Sequence, residues 1–197
     1  VLHPEGRSSA GKKRSWPRWR PFQLYPQMPA EGVDRKTFMR ARFGDAAANT
    51  GTPARIAAEA EGLGIALDYD AIGRVPNTFN GHRLVEWIGP GEAQHALMET
   101  LFSYYFCEGR DLGDIEVLAD AAVRVGVDRE RALAMLRSDV GVDDLRARVR
   151  EAYDAGVTGV PCFVLPSGFG IPGAQPPEVL ARIIEKAREQ LAEQPTT

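Results

Sequence analysis

Cysteine is scarce in this chain. Its 197 residues contain two, Cys107 and Cys162. Two cysteines close at most one bridge, which excludes a disulfide-stapled secreted scaffold. They are also too few for a four-cysteine zinc site or an iron–sulfur cluster. Long apolar runs are missing as well. No stretch approaches the roughly 18 residues that a membrane-crossing helix needs, and the first residues lack the apolar segment of a signal peptide. An excess of basic charge is absent: 24 Lys and Arg face 27 Asp and Glu, which gives no reason to expect nucleic acid as a partner. The expectation left is a soluble, cytoplasmic globular protein with no membrane partner. Its length suits one domain, or one domain carrying a sizeable insertion.

Charge is distributed unevenly. Residues 1–20 hold six basic side chains against Glu5, a net of +5, while the remainder carries 18 basic and 26 acidic groups, a net of −8. Residues 1–15 show no hydrophobic period and cannot offset their ordering entropy, so they read as a disordered basic tail. That tail lacks the interleaved aromatics and the helical face of a nucleic-acid or membrane arm.

Order is expected from Trp16 onward. Trp19-Arg20-Pro21-Phe22-Gln23-Leu24 alternates apolar and polar and reads as a short strand, with Pro21 at an edge or bulge. From Asp34 to Asp154 the period is helical and well punctuated. Asp34, Asp114 and Asp128 stand where N-caps belong, Thr52-Pro53 and Asn77-Thr78 open further helices, and Gly44, Gly62, Gly89, Gly109, Gly126 and Gly156 close them. Residues 46–50 read as a polar loop. After Gly156 the period changes to two. Val160 to Leu165 reads as a strand, Pro166-Ser167-Gly168 as a turn and Phe169 to Ile171 as its partner, followed by a helix from Pro176-Pro177. The sequence thus predicts an α/β chain whose sheet is interrupted by a large helical insertion.

Chemistry points first to Gly159-Val160-Pro161-Cys162-Phe163. A proline entering a central-looking strand cannot donate to the ladder, which frees the neighbouring main chain for another partner. An ordinary trans proline that begins a strand is the alternative, and a cis Val160–Pro161 bond would mark a functional position. No phosphate-binding glycine loop, no metal-spaced cluster of His and Asp, and no Ser–His–Asp arrangement stands out.

Several motifs, in a consistent order, carry a resemblance. They are Trp19-Arg20-Pro21-Phe22-Gln23-Leu24 with Pro26 and Pro29, Pro76-Asn77-Thr78 with His82-Arg83-Leu84, Glu108-Gly109-Arg110-Asp111, Gly156 to Pro161, and Gly173-Ala174-Gln175-Pro176. Over about residues 18–193 the chain resembles the FrnE-like branch of the DsbA family, which is related to 2-hydroxychromene-2-carboxylate isomerases and kappa-class glutathione transferases. The resemblance implies a thioredoxin-like fold with a large α-helical insertion: residues 16–30 and 142–193 in the thioredoxin-like domain, residues 31–141 in the insertion. It also implies thiol–disulfide exchange through a Cys-x-x-Cys thiolate. Pro161 becomes the cis-proline of the site, and Val160, Pro161 and Asn77 become substrate-binding residues. Protein thiols and disulfides, or glutathione as the one organic cofactor admitted, are the implied partners.

The chain departs from that family at its N-terminal side. No two cysteines stand three apart, and the strand and Cys-x-x-Cys helix expected ahead of Trp19 are not found, which reads as a truncated and redox-impaired chain. A faint alignment puts Ser8 near the second family cysteine. Cys162, next to Pro161, is the remaining candidate for a catalytic thiol, the alternative being a small buried hydrophobe. Cys107 ends a hydrophobic helix, at the negative end of its dipole, and reads as structural. His82 and His95 read as structural, and Asn77 also fits a plain N-cap. Two other functions stay open: a glutathione-dependent isomerase or transferase, which needs no dithiol, and a non-catalytic module that pairs with extended peptides. Exposed apolar sheet surface would favour a homodimer.

Overall fold

The computed structural model describes residues 16–45 and 53–192. The basic start, the loop at 46–50, Ser8 and Thr52 lie outside the described residues. Element order is β1 (Val33–Asp34), α1 (Arg35–Phe43), α2 (Ala54–Gly62), β2 (Arg74–Val75), α3 (Phe79–Ile88), α4 (Glu92–Phe106), α5 (Ile115–Arg124), α6 (Arg129–Arg137), α7 (Val142–Asp154), β3 (Cys162–Val164), β4 (Gly170–Pro172) and α8 (Pro177–Ala192). The chain divides into two compact units, one ending at Arg146 and the other beginning at Ala147.

Local chemistry sets the helix starts. The Asp34 carboxylate accepts from the Thr37 main-chain N–H and hydroxyl, each at 2.8 Å, and these bonds hold its pKa below the usual carboxylate value. Asp114 and Asp128 accept in the same way from the main-chain N–H groups of Glu116 and Arg131, both at 2.9 Å. Each bond satisfies a donor that the helix itself leaves orphaned. Gly109 closes the turn after α4 with φ of +65°, and a Cβ there would lie 2.2 Å from the Ala71 carbonyl oxygen. Only glycine fits both demands.

The first unit has a genuine core. Leu84 and Val85 of α3, Leu97, Leu101 and Tyr104 of α4, Leu118 of α5 and Leu133 and Leu136 of α6 are buried together. Burying each large apolar side chain contributes roughly 1.5–3 kcal/mol. Ala119, Ala121, Ala122 and Ala132 have no exposed surface, and their small side chains let α5 and α6 approach closely.

Arg83 lies inside this core with 5% of its surface exposed. Its guanidinium donates to the carbonyls of Met135, Leu136, Ser138 and Val140 and to Oδ1 of Asn80. Met135 and Leu136 lie in the last turn of α6 and Ser138 and Val140 just beyond it, so one side chain of α3 caps the end of another helix.

The strand expected at residues 19–24 does not form. Instead, the Trp19 main-chain N–H donates to Oε1 of the buried Gln94 at 3.1 Å, and Nε2 of Gln94 donates to the Val85 carbonyl at 3.1 Å. Trp19 Nε1 donates to Nδ1 of His95 at 3.3 Å, and its ring meets the edge of Phe102. The segment is fixed to α4 by side chains, and Pro21 has no N–H for a ladder. A short antiparallel pair that the sequence pattern did not announce, β1 with β2, sets Val33 opposite Val75 and Asp34 opposite Arg74. In the second unit β3 and β4 form the expected hairpin, with Phe163 opposite Ile171 and Val164 opposite Gly170. Among the described residues each sheet has two strands.

Two predictions follow from this packing. Arg83→Met leaves the end of α6 without its donors and should cost on the order of 3 kcal/mol, read as a lower urea midpoint; an unchanged midpoint would show that the cap is dispensable. The second concerns His82 in α3, whose imidazole is held neutral by burial, with a pKa lowered to about 4 despite a hydrogen bond to the Phe22 main chain. Between that value and the ordinary 6.5 the unfolded chain binds a proton that the folded chain refuses. Stability should therefore fall by up to about 3 kcal/mol as pH drops through this window, with no contribution from His82 above it. Thermal melts from pH 7 to pH 4 should show a flatter dependence for His82→Gln.

Candidate functional site

Residues 156–176 present the main chain as an open feature. The Val160–Pro161 peptide bond is cis. The Pro161 carbonyl accepts from the Gly173 N–H at 2.8 Å, which extends the hairpin by one bond beyond the Cys162–Pro172 pair. Gln175 Nε2 donates to the Pro172 carbonyl at 2.9 Å and secures the end of β4. Val160 is 52% exposed, and among the described residues its main-chain groups have no hydrogen-bond partner.

The hairpin itself carries apolar side chains. Phe163, Val164 and Phe169 are exposed, and Ile171 is buried. Cys162 is half-buried, its sulfur set over Gly170, where a Cβ would lie 3.6 Å from Sγ. Both cysteines are free thiols. Cys107 caps the C-terminal end of α4, its N–H on the Ser103 carbonyl at 2.9 Å.

Val160, Pro161 and Cys162 are thus adjacent at one end of the hairpin. Asn77 belongs to the helical unit. Its side chain works in both directions: Oδ1 accepts from the Phe79 N–H at 3.0 Å, and Nδ2 donates to the Met28 carbonyl at 2.8 Å. The N-cap position is Thr78, whose side chain makes no capping bond, so Asn77 is not the N-cap itself; one residue ahead of it, Asn77 holds the turn into α3 and also ties down the preceding loop. His95 lies against Trp16 and Trp19, with ring centroids 4.8 and 6.1 Å away. Among the described residues no group of three or more His, Cys, Asp and Glu could hold a metal ion, and no helix is long and apolar enough to cross a membrane.

The Glu108-Gly109-Arg110-Asp111 motif is structural. Arg110 lies over the Tyr104 ring at 4.0 Å and pairs with Asp120 at 2.8 Å. Asp111 Oδ1 accepts from the Gly113 N–H at 2.8 Å. The sequence reading passed over Asn80 and Arg146, which line a groove in the helical unit, and over Arg83 as the residue that holds Asn80. The i, i+3 spacing of Asn80 and Arg83 on a helix was the signal available for that pair; Arg146 had none.

Comparison with known proteins adds the following. A family model described as the DSBA-like thioredoxin domain matches residues 13–185. A crystal structure of a probable DsbA oxidoreductase from Streptomyces coelicolor superposes with a TM-score of 0.76 at 30% identity, over 90% of this chain and 76% of that one. An uncharacterized Bacillus subtilis protein, YwbO, is 26% identical over 176 residues, which is 87% of this chain and 82% of that protein. A 2-hydroxychromene-2-carboxylate isomerase shares the fold, with a TM-score of 0.56 at 17% identity, over 84% of this chain and 83% of that one.

Asn77→Ala should release both the α3 start and the Met28 loop, costing about 1–2 kcal/mol. Amide exchange at Phe79 should quicken; unaltered exchange there would show that the loop is held by other contacts.

Proposed function

The chain belongs to the DSBA-like thioredoxin domain family, and on that premise we propose that its ancestral chemistry is thiol–disulfide exchange of the FrnE type, with residues 1–197 redox-impaired. In that exchange a thiolate attacks a disulfide sulfur, a new S–S bond forms, and the displaced thiolate leaves. The observation that carries the proposal is the unpartnered, exposed main chain at Val160 beside Pro161, in a chain whose family model spans residues 13–185. An extended thiol-bearing or disulfide-bearing segment can pair with such a backbone. Val160 and Pro161 are the substrate-binding residues of this reading.

Impairment follows from the cysteine positions. A mixed disulfide formed at Cys162 finds no second cysteine three residues away to resolve it. In an insulin-reduction assay residues 1–197 should give no turnover above the added thiol, and Cys162→Ser should behave identically. Turnover that disappears in Cys162→Ser would overturn this.

That residues 1–197 hold no Cys-x-x-Cys pair also favours a second reading, glutathione-dependent chemistry, because that route uses the tripeptide's own thiol. Here glutathione should perturb the Val160 amide and raise the melting temperature. Neither effect at millimolar glutathione would remove this reading.

A further inference from the structure

The helical unit contains a groove of about 430 Å3, within the size range of small-ligand sites. Its walls include Gln23, Asn77, Phe79, Asn80, Gly113 and Arg146. We propose that this groove binds a carboxylate, held by the side-chain amide of Asn80 and the guanidinium of Arg146. The site uses no thiol and goes beyond the exchange chemistry proposed above.

The polar ends already taken decide which ligand fits. Asn77 is spent at both ends, on Phe79 and Met28. Asn80 is spent at one end only. Its Oδ1 accepts from Arg83 Nη1 at 2.8 Å, and a guanidinium has donors alone, so the amide orientation is fixed with the NH2 group turned away from Arg83. Among the described residues that NH2 group has no partner. Arg83, anchored by four carbonyls, is therefore the positioning residue for Asn80.

Arg146 supplies the second donor. Its Nη1 is 3.2 Å from Asp143 Oδ1, and the Asp143 side chain is 95% exposed. Such an exposed pair contributes little and yields readily to a competing carboxylate. The Arg146 guanidinium carbon is 5.9 Å from the ring centroid of Phe79, another wall residue of the groove. The other nearby carboxylate, Asp111, is engaged by the Gly113 N–H through Oδ1, with its second oxygen 3.6 Å from Arg74.

Both available groups are donors, so the ligand must accept. One guanidinium balances a single negative charge, and its planar fork matches the two oxygens of a carboxylate. Inorganic phosphate, with nearly two charges at neutral pH, should bind more weakly.

The test is a nuclear magnetic resonance titration of the full chain with three probes: acetyl-alanyl-glycine as the free acid, an amidated peptide containing one glutamate, and amidated acetyl-alanyl-glycine. A C-terminal carboxylate predicts response to the first, a side-chain carboxylate response to the second, and the fully amidated probe should be silent. The Asn80 side-chain amide should shift on binding. Arg146→Gln should weaken binding about tenfold, and Asp143→Asn, which removes the competitor, should strengthen it about two- to threefold. Arg146 is largely exposed, with 59% of its side chain accessible, so Arg146→Gln should melt like the parent. Binding of the amidated probe equal to the acids would overturn the proposal. So would unchanged affinity in Arg146→Gln, or silence of both acids at about 20 mM. None of these outcomes depends on disulfide exchange.

Discussion

One guanidinium organises the helical unit. Arg83 holds five oxygen acceptors, four of them main-chain carbonyls from Met135 to Val140. A buried cation would be costly in an apolar core without such partners. Here the carbonyl dipoles at the end of α6 supply the compensation, and burial still lowers the pKa of Arg83 from its usual value, with Asp139 opposing that shift. Helix end and cation satisfy each other, so α3 and α6 are fixed by the same contact. It also decides how Asn80 faces the groove, linking core packing to a candidate binding surface.

The two units differ in what they bury. In the first unit Leu84, Leu97, Leu118, Ala119, Ala121, Ala122 and Ala132 are fully enclosed, whereas among the described residues from Ala147 onward the buried apolar side chains are Val149 and Ile171. Val160, Val164 and Phe169 remain more than half exposed. That surface accompanies an open main chain, the combination expected where a strand or peptide is to be received. This end of the chain belongs to the DSBA-like thioredoxin domain matched over residues 13–185.

Much of the local structure was legible because it depends on neighbours in sequence. An aspartate that caps a helix needs an N–H two or three residues away, as at Asp34, Asp114 and Asp128. The period-two run after Gly156 formed its hairpin because the turn at Pro166-Ser167-Gly168 lies between the strands. Failure came where partners are remote. Trp19 alternates like a strand residue, yet its N–H goes to Gln94, 75 positions away. Val33 and Val75 are too few and too far apart for a pattern to register.

By itself the sequence determined the helix boundaries, the proline at the entrance to β3, the scarcity of cysteine and the motifs that point to the DsbA family. Each depends on local backbone chemistry or on residue identity. Only the tertiary structure decided that Val160 keeps its main chain unpartnered, that Asn77 is spent at both ends, and that Asn80 and Arg146 meet at one groove. Those facts turn on which distant atoms have already taken each hydrogen bond, and no spacing in the chain records that.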